Sequence, residues 1–384
     1  MLEKTNADYL EYENTTDSCL EHFKVLLTQR RKMLSTFYSF KTNVDENTKQ
    51  LLLCMSLLSK KNHTENCLFT ATSARELINF IQSDHGYNRD DLVCALQLKL
   101  YLNKELYKPF FISLMLCQDK CAQDITPELA LFLSFNLLKN IVISFCPSKN
   151  ETLYNKCLLS LFYHQQLTVY LSTPHFPSNK LSPLNRLYVN VLAKENANCF
   201  DVATQFVQLN YTESHLFEIF IISLDEAEVT QVINRMNADV DLTPLVIKSM
   251  SYSGYRKFIP YLCHFLQKPE YTLLAFNGLK LMLGDNLDQL IPLEIQLESD
   301  ENQRIKNLPY YSAKIISAWK NKNNIFQPSQ MINGMKTDLD TIQNVLQHGS
   351  QQHRYFSNIH NVIKEAKKRV NHFNALFDSD KLLS

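Results

Sequence analysis

Cys117 and Cys121 stand four positions apart, a spacing that on a helix brings two thiolates to one face and supplies half of a structural zinc site. The other two ligands need close spacing of their own, and no second cysteine or histidine pair supplies it. The pair therefore reads as buried thiols. Cys263 and His264 are adjacent, which on a helix points a thiol and its potential base to different sides. If the chain were an enzyme of unrecognised type, that dipeptide would be the place to look, and one hyper-reactive cysteine would reveal it. His348, His353 and His360 are spaced by five and seven, not by the three or four of a helical metal site, and are expected to be polar surface residues. Asp90-Asp91 stands where a helix begins and favours the helix dipole. No His-Glu-x-x-His, Gly-x-Ser-x-Gly or glycine-rich phosphate loop occurs,. The sequence thus points to no catalytic residues, no cofactor and no metal.

The elements that carry these residues read as helices. There are 6 glycines in 384 residues, far below the usual share of about 7%, whereas phosphate loops, tight hairpins and bulges all draw on glycine for positive φ. From residue 18 to 40, Leu20, Phe23, Leu26, Leu27, Leu34, Phe37 and Tyr38 recur at helical spacing,. Ser73 and Glu76 have the spacing of a capping box opening the helix ARELINFIQ,. Strand-like alternation is rare. The apolar run within 125–147 contains Asn136, Lys139 and Asn140, which suits a buried core helix better than a membrane span.

Composition narrows the class further. The 39 basic and 39 acidic side chains cancel, which argues against nucleic acid as the main partner. The 10 cysteines lack paired spacing, as incidental or buried thiols do in a reducing compartment. The first residues are acidic where an export signal needs basic and then apolar sequence,, so no Sec-type export is expected.

A repeat organises the middle of the chain. Setting Gly254 on Gly284 also brings Ile259-Pro260 onto Ile291-Pro292 after a two-residue insertion, and stepping back by thirty reaches the Asp225 turn and then the Asn196–Asn198 turn. Four units of two short helices then span about 185–296, with Gly254 and Gly284 as repeat turns. Stacked helix pairs of this kind form HEAT-like α-solenoids. The expected fold is all-α: an N-terminal helical domain over 1–172, a Pro-rich linker over 173–184, HEAT-like repeats over 185–296 and a C-terminal helical region over 297–384. In that last region Tyr355, Ile359, Val362, Ala366, Val370, Phe373 and Phe377 form a narrow apolar seam,. It reads either as a helix capping the solenoid or as one docking into a partner's groove, with Tyr355, Ile359, Val362, Phe373 and Phe377 as candidate interaction residues.

With these helix pairs in place, the chain resembles the HEAT-type helical proteins encoded in type VI secretion gene clusters, in particular those of atypical pathogenicity-island systems. The resemblance rests on a helix with His22, Leu26, Leu27 and Arg30, on Asp45-Glu46-Asn47 leading to Leu51 and Leu57, and on Leu283-Gly284-Asp285 preceding Ile291-Pro292. It implies a non-enzymatic component or exported substrate of a contractile secretion machine supporting intracellular growth. Its partners would be secretion-system proteins, and it would reside in the bacterial cytoplasm or be released into the host cell. A cytoplasmic helical-repeat scaffold or adaptor unrelated to secretion is the alternative that the same architecture serves.

Overall fold

The computed structural model describes residues 16–34, 36–59, 67–83, 86–117, 119, 121–122, 125–126, 129, 151–163, 165–173, 176, 181–193, 198–321 and 328–364. These fall into two compact units, one covering 16–163 with 173 and 176, the other 165–172 and 181–364. Most of the 125–147 apolar run and of the 173–184 linker, together with Phe373 and Phe377, lies outside the described residues.

The first unit begins with α1 (Thr16–Leu34) and α2 (Lys41–Ser59). Phe23, Leu26, Leu27 and Arg30 of α1 meet Val44, Asn47, Leu51, Cys54 and Leu58 of α2 in the interior. Asn47 Nδ2 donates to the Leu26 carbonyl at 3.1 Å and Arg30 Nη1 to the Val44 carbonyl at 3.0 Å, so the two helices run antiparallel. Next come α3 (Cys67–Thr70), α4 (Ala74–Gln82), α5 (Arg89–Leu102), α6 (Tyr107–Leu116) and α7 (Glu151–Tyr163). The capping box at α4 forms as expected, with Ser73 Oγ accepting from Glu76 N and Glu76 Oε2 accepting from Ser73 N, both at 3.3 Å. Lys99 of α5 is buried and donates to the Phe69 carbonyl at 2.7 Å, satisfying one of the open acceptors at the end of α3.

The second unit contains α8 (Leu167–Leu171), α9 (Pro183–Ala193), α10 (Cys199–Gln208), α11 (His215–Ser223), α12 (Glu226–Met236), α13 (Thr243–Ser253), α14 (Ile259–Leu266) and α15 (Thr272–Leu283). After these come α16 (Leu293–Gln296), α17 (Glu301–Asn307), α18 (Ser312–Lys320), a hairpin of β1 (Met331–Ile332) and β2 (Met335–Lys336), α19 (Leu339–His348) and α20 (Gln351–Ile363). Alternate helices are neighbours: α9 packs on α11, α11 on α13, α13 on α15, and α10 on α12. The fold is all-α apart from that one antiparallel hairpin among the described residues.

The hairpin is a small departure from the expected all-α fold, in which strand-like alternation is rare. Its turn is Asn333-Gly334, with φ of 51° and 73°, the mirror-image turn geometry that this dipeptide favours. It seats on the ends of two alternate helices, α13 and α15. Met331 N donates to the Gly254 carbonyl at 2.9 Å, while Asn333 N and Gly334 N donate to the Leu281 and Met282 carbonyls at 3.0 and 2.7 Å. Carbonyls at the ends of α13 and α15 thereby find donors in another element.

Candidate interaction surface

Gly254 and Gly284 each end a helix with positive φ, at 68° and 54°, but their ψ values differ, 4° against −133°. Ile259 and Ile291 are both buried, and each is followed by a proline at the start of a helix. These are shared local features of the two segments. The copies then diverge, because α16 is a single turn where α14 has two.

The candidate seam needs correcting. Ile359 and Val362 are 0% and 6% exposed, so they line the interior of the second unit and present nothing to a partner. Their helix, α20, packs against α11, α19 and β1, and Phe356 stacks on Tyr252 of α13 at 4.9 Å. Tyr355 is half-buried, its hydroxyl donating to Glu218 Oε2 and hydrogen-bonded to His215 Nδ1. His215 and Glu218 are themselves joined at 2.9 Å, so a polar cluster holds α20 to the first turn of α11.

Two of the three spaced histidines are likewise not at the surface. His348 is exposed, but His353 and His360 are 1% and 2% exposed. His353 Nε2 bonds the Lys280 carbonyl at 2.9 Å and its Nδ1 bonds Ser350 Oγ at 2.7 Å. Burial pushes the His353 imidazole down to about 4 and His360 down to about 3, with Lys280 and Lys364 adding cationic repulsion. Both therefore pack as neutral rings at neutral pH. Lys280, 2% exposed, is held by Asp288 at 2.8 Å, and Gln296 Nε2 donates to the same carboxylate at 2.8 Å.

The thiols and carboxylates are also placed. Helix α6 ends at Leu116, so Cys117 is extended backbone and does not share a helical face with Cys121; its sulfur accepts from Gln82 Nε2 at 3.6 Å. Cys263 is 0% exposed, and burial pushes its thiol up to about 12, while His264 faces outward. Asp91 pairs with Arg31 at 2.9 Å, yet burial still holds its carboxyl above the usual range. Among the described residues, no group of three His, Cys, Asp or Glu side chains could hold a metal, and no helix is long and apolar enough to cross a membrane.

Sequence reasoning missed the large side chains left at the surface of the second unit. Tyr261 and Tyr310 are 58% and 81% exposed, and Leu293 and Leu297 are 44% and 54% exposed. Their elements are neighbours: α14 packs against the turn 308–311, that turn against α17, and α17 against α16. Helical periodicity could not separate Tyr261 from its buried neighbours Leu262 and Cys263, since all are apolar. Comparison with family models, with curated proteins and with solved structures finds no match to this chain.

Proposed function

We propose that this protein is a non-enzymatic helical-repeat interaction component of a type VI secretion system, acting through the outer surface of its second unit. The observation that carries the interaction reading is the outward placement of Tyr261, Leu293, Leu297 and Tyr310 on neighbouring elements. Tyrosines with exposed rings are characteristic of contact surfaces, because they offer large area and a polar tip at low entropic cost. The alternate-helix packing of α9, α11, α13 and α15 supports a short α-solenoid, an architecture that works by presenting surface. The assignment to secretion rests on the family resemblance of the sequence, including its Leu283-Gly284-Asp285 and Ile291-Pro292 segments.

The test is an affinity pull-down of the tagged chain from its native bacteria under gentle cross-linking, beside a Tyr261→Ser, Tyr310→Ser double variant. Sheath, spike or baseplate proteins recovered by the wild type and lost by the variant are the expected result. A stable complex unrelated to secretion would select the scaffold reading, and equal recovery by the variant would remove these tyrosines from the interface.

A further inference from the structure

The Cys19 and Cys54 thiols lie against each other across the α1–α2 interface, joined by a hydrogen bond. The register of the two helices places them there independently. Leu26 and Asn47 meet through the Asn47 amide, Cys19 lies seven positions before Leu26, and Cys54 lies seven positions after Asn47. In an antiparallel pair, equal steps in opposite directions lead back to facing positions. Packed helices with axes about 8–10 Å apart and Cα radii of about 2.3 Å leave facing Cα atoms up to about 5 Å apart, within a disulfide's reach. Cys54 is buried and Cys19 is half-buried, so one thiol of the pair is open to reagents and the other is shielded.

We propose that Cys19 and Cys54 form a reversible disulfide that ties α1 to α2, with Cys19 reacting first and Cys54 resolving. A small disulfide such as glutathione disulfide is the oxidant. The Cys19 thiolate attacks one of its sulfurs, giving a mixed disulfide and releasing one glutathione thiolate. The Cys54 thiolate then attacks Cys19 Sγ, closing the Cys19–Cys54 bond and expelling the second glutathione. Two electrons pass from the protein sulfurs to glutathione, and the two protein thiol protons end on the two glutathione thiols. Burial, reinforced by Cys19, pushes the Cys54 thiol up to about 12. The resolving step is therefore slow, and Cys54 is a poor leaving group once bonded, so the bridge also resists reduction. Slow closure and slow opening make a clasp that responds to sustained oxidation rather than to a brief pulse.

The experiment equilibrates the full-length chain in mixtures of reduced and oxidised glutathione, quenches with acid, and reads intact mass and a non-reducing peptide map. The expected product is lighter by two hydrogen atoms, with residues 19 and 54 in one cross-linked peptide, and both thiols return to alkylation in the unfolded chain after reduction. Cys54→Ala is expected to stop at a stable glutathione adduct on Cys19. Cys19→Ser, a change at the half-buried partner, is expected to leave Cys54 unmodified while circular dichroism matches the wild type. Wild-type protein that stops at the Cys19 adduct, or that pairs Cys19 with another cysteine, would overturn the proposal, as would oxidation of Cys54 in the Cys19→Ser chain.

Discussion

A Cβ at Gly254 would lie 2.5 Å from the Met331 carbonyl oxygen, and one at Gly284 would lie 2.8 Å from the Asn333 backbone. Positive φ adds strain for any other residue. Gly254→Val and Gly284→Val should each cost about 2–4 kcal/mol, read as a fall in the thermal midpoint of the second unit; an unchanged midpoint would mean that the hairpin moves aside without loss. His353 carries a pH dependence with a definite sign. Its folded value of about 4 lies below the ordinary 6.5, so as pH falls through that window the unfolded chain takes up a proton that the folded chain refuses. Stability is full above about pH 6.5 and drops by about 3 kcal/mol by pH 4 from this ring. Urea unfolding between pH 7 and 4.5 should show that slope, and His353→Gln should remove about 1.4 kcal/mol per pH unit of it. Local chemistry such as the Ser73 cap was legible, because a cap needs only residues three apart,. The burial of His353 and His360 was not, because it depends on what other elements bring against them.

Two elements depart from what their sequences suggest alone. The segment QQHRYFSNIHNVI looks polar, yet Gln351, His353, Ser357, Asn358, His360 and Asn361 are all buried in α20. A helix enclosed on several sides cannot show a single apolar face, so periodicity picked out Ile359 and Val362 but gave no sign that the polar side is enclosed as well. Ile359→Asp should cost roughly 3–5 kcal/mol, as an unpaired charge in the interior does, and should abolish cooperative unfolding of the second unit rather than weaken a partner contact. In the hairpin, the Asn333-Gly334 signal was present in the sequence, but scarce glycine argued against strands overall. Changing both residues to alanine should cost about 1–3 kcal/mol and speed hydrogen exchange at the Met331 amide, now bonded to Gly254. Unaltered exchange there would show that the seat on α13, not the turn, fixes the hairpin.

At the scale of the whole chain, acid acts unevenly. His353 and His360, the two buried histidines among the described residues, belong to the second unit, whereas the raised Asp91 carboxyl in the first unit makes the folded form the better proton acceptor, the opposite sign. Hydrogen exchange near pH 5 should therefore rise first in the second unit; a faster rise in the first would contradict these assignments. The all-helical class was legible because it depends on composition and local order. The closing contacts were not, since Gln330 reaches Ser253 across 77 positions and His353 reaches Lys280 across 73. That separation has a consequence for biosynthesis. At about 5–20 residues per second, the ends of α13 and α15 leave the ribosome some 4–15 s before the segments that cover them. Growing chains therefore pass through an interval in which two helix ends and the apolar faces beside α20 are bare, and a chaperone binding at that stage would find its substrate there rather than in the finished fold.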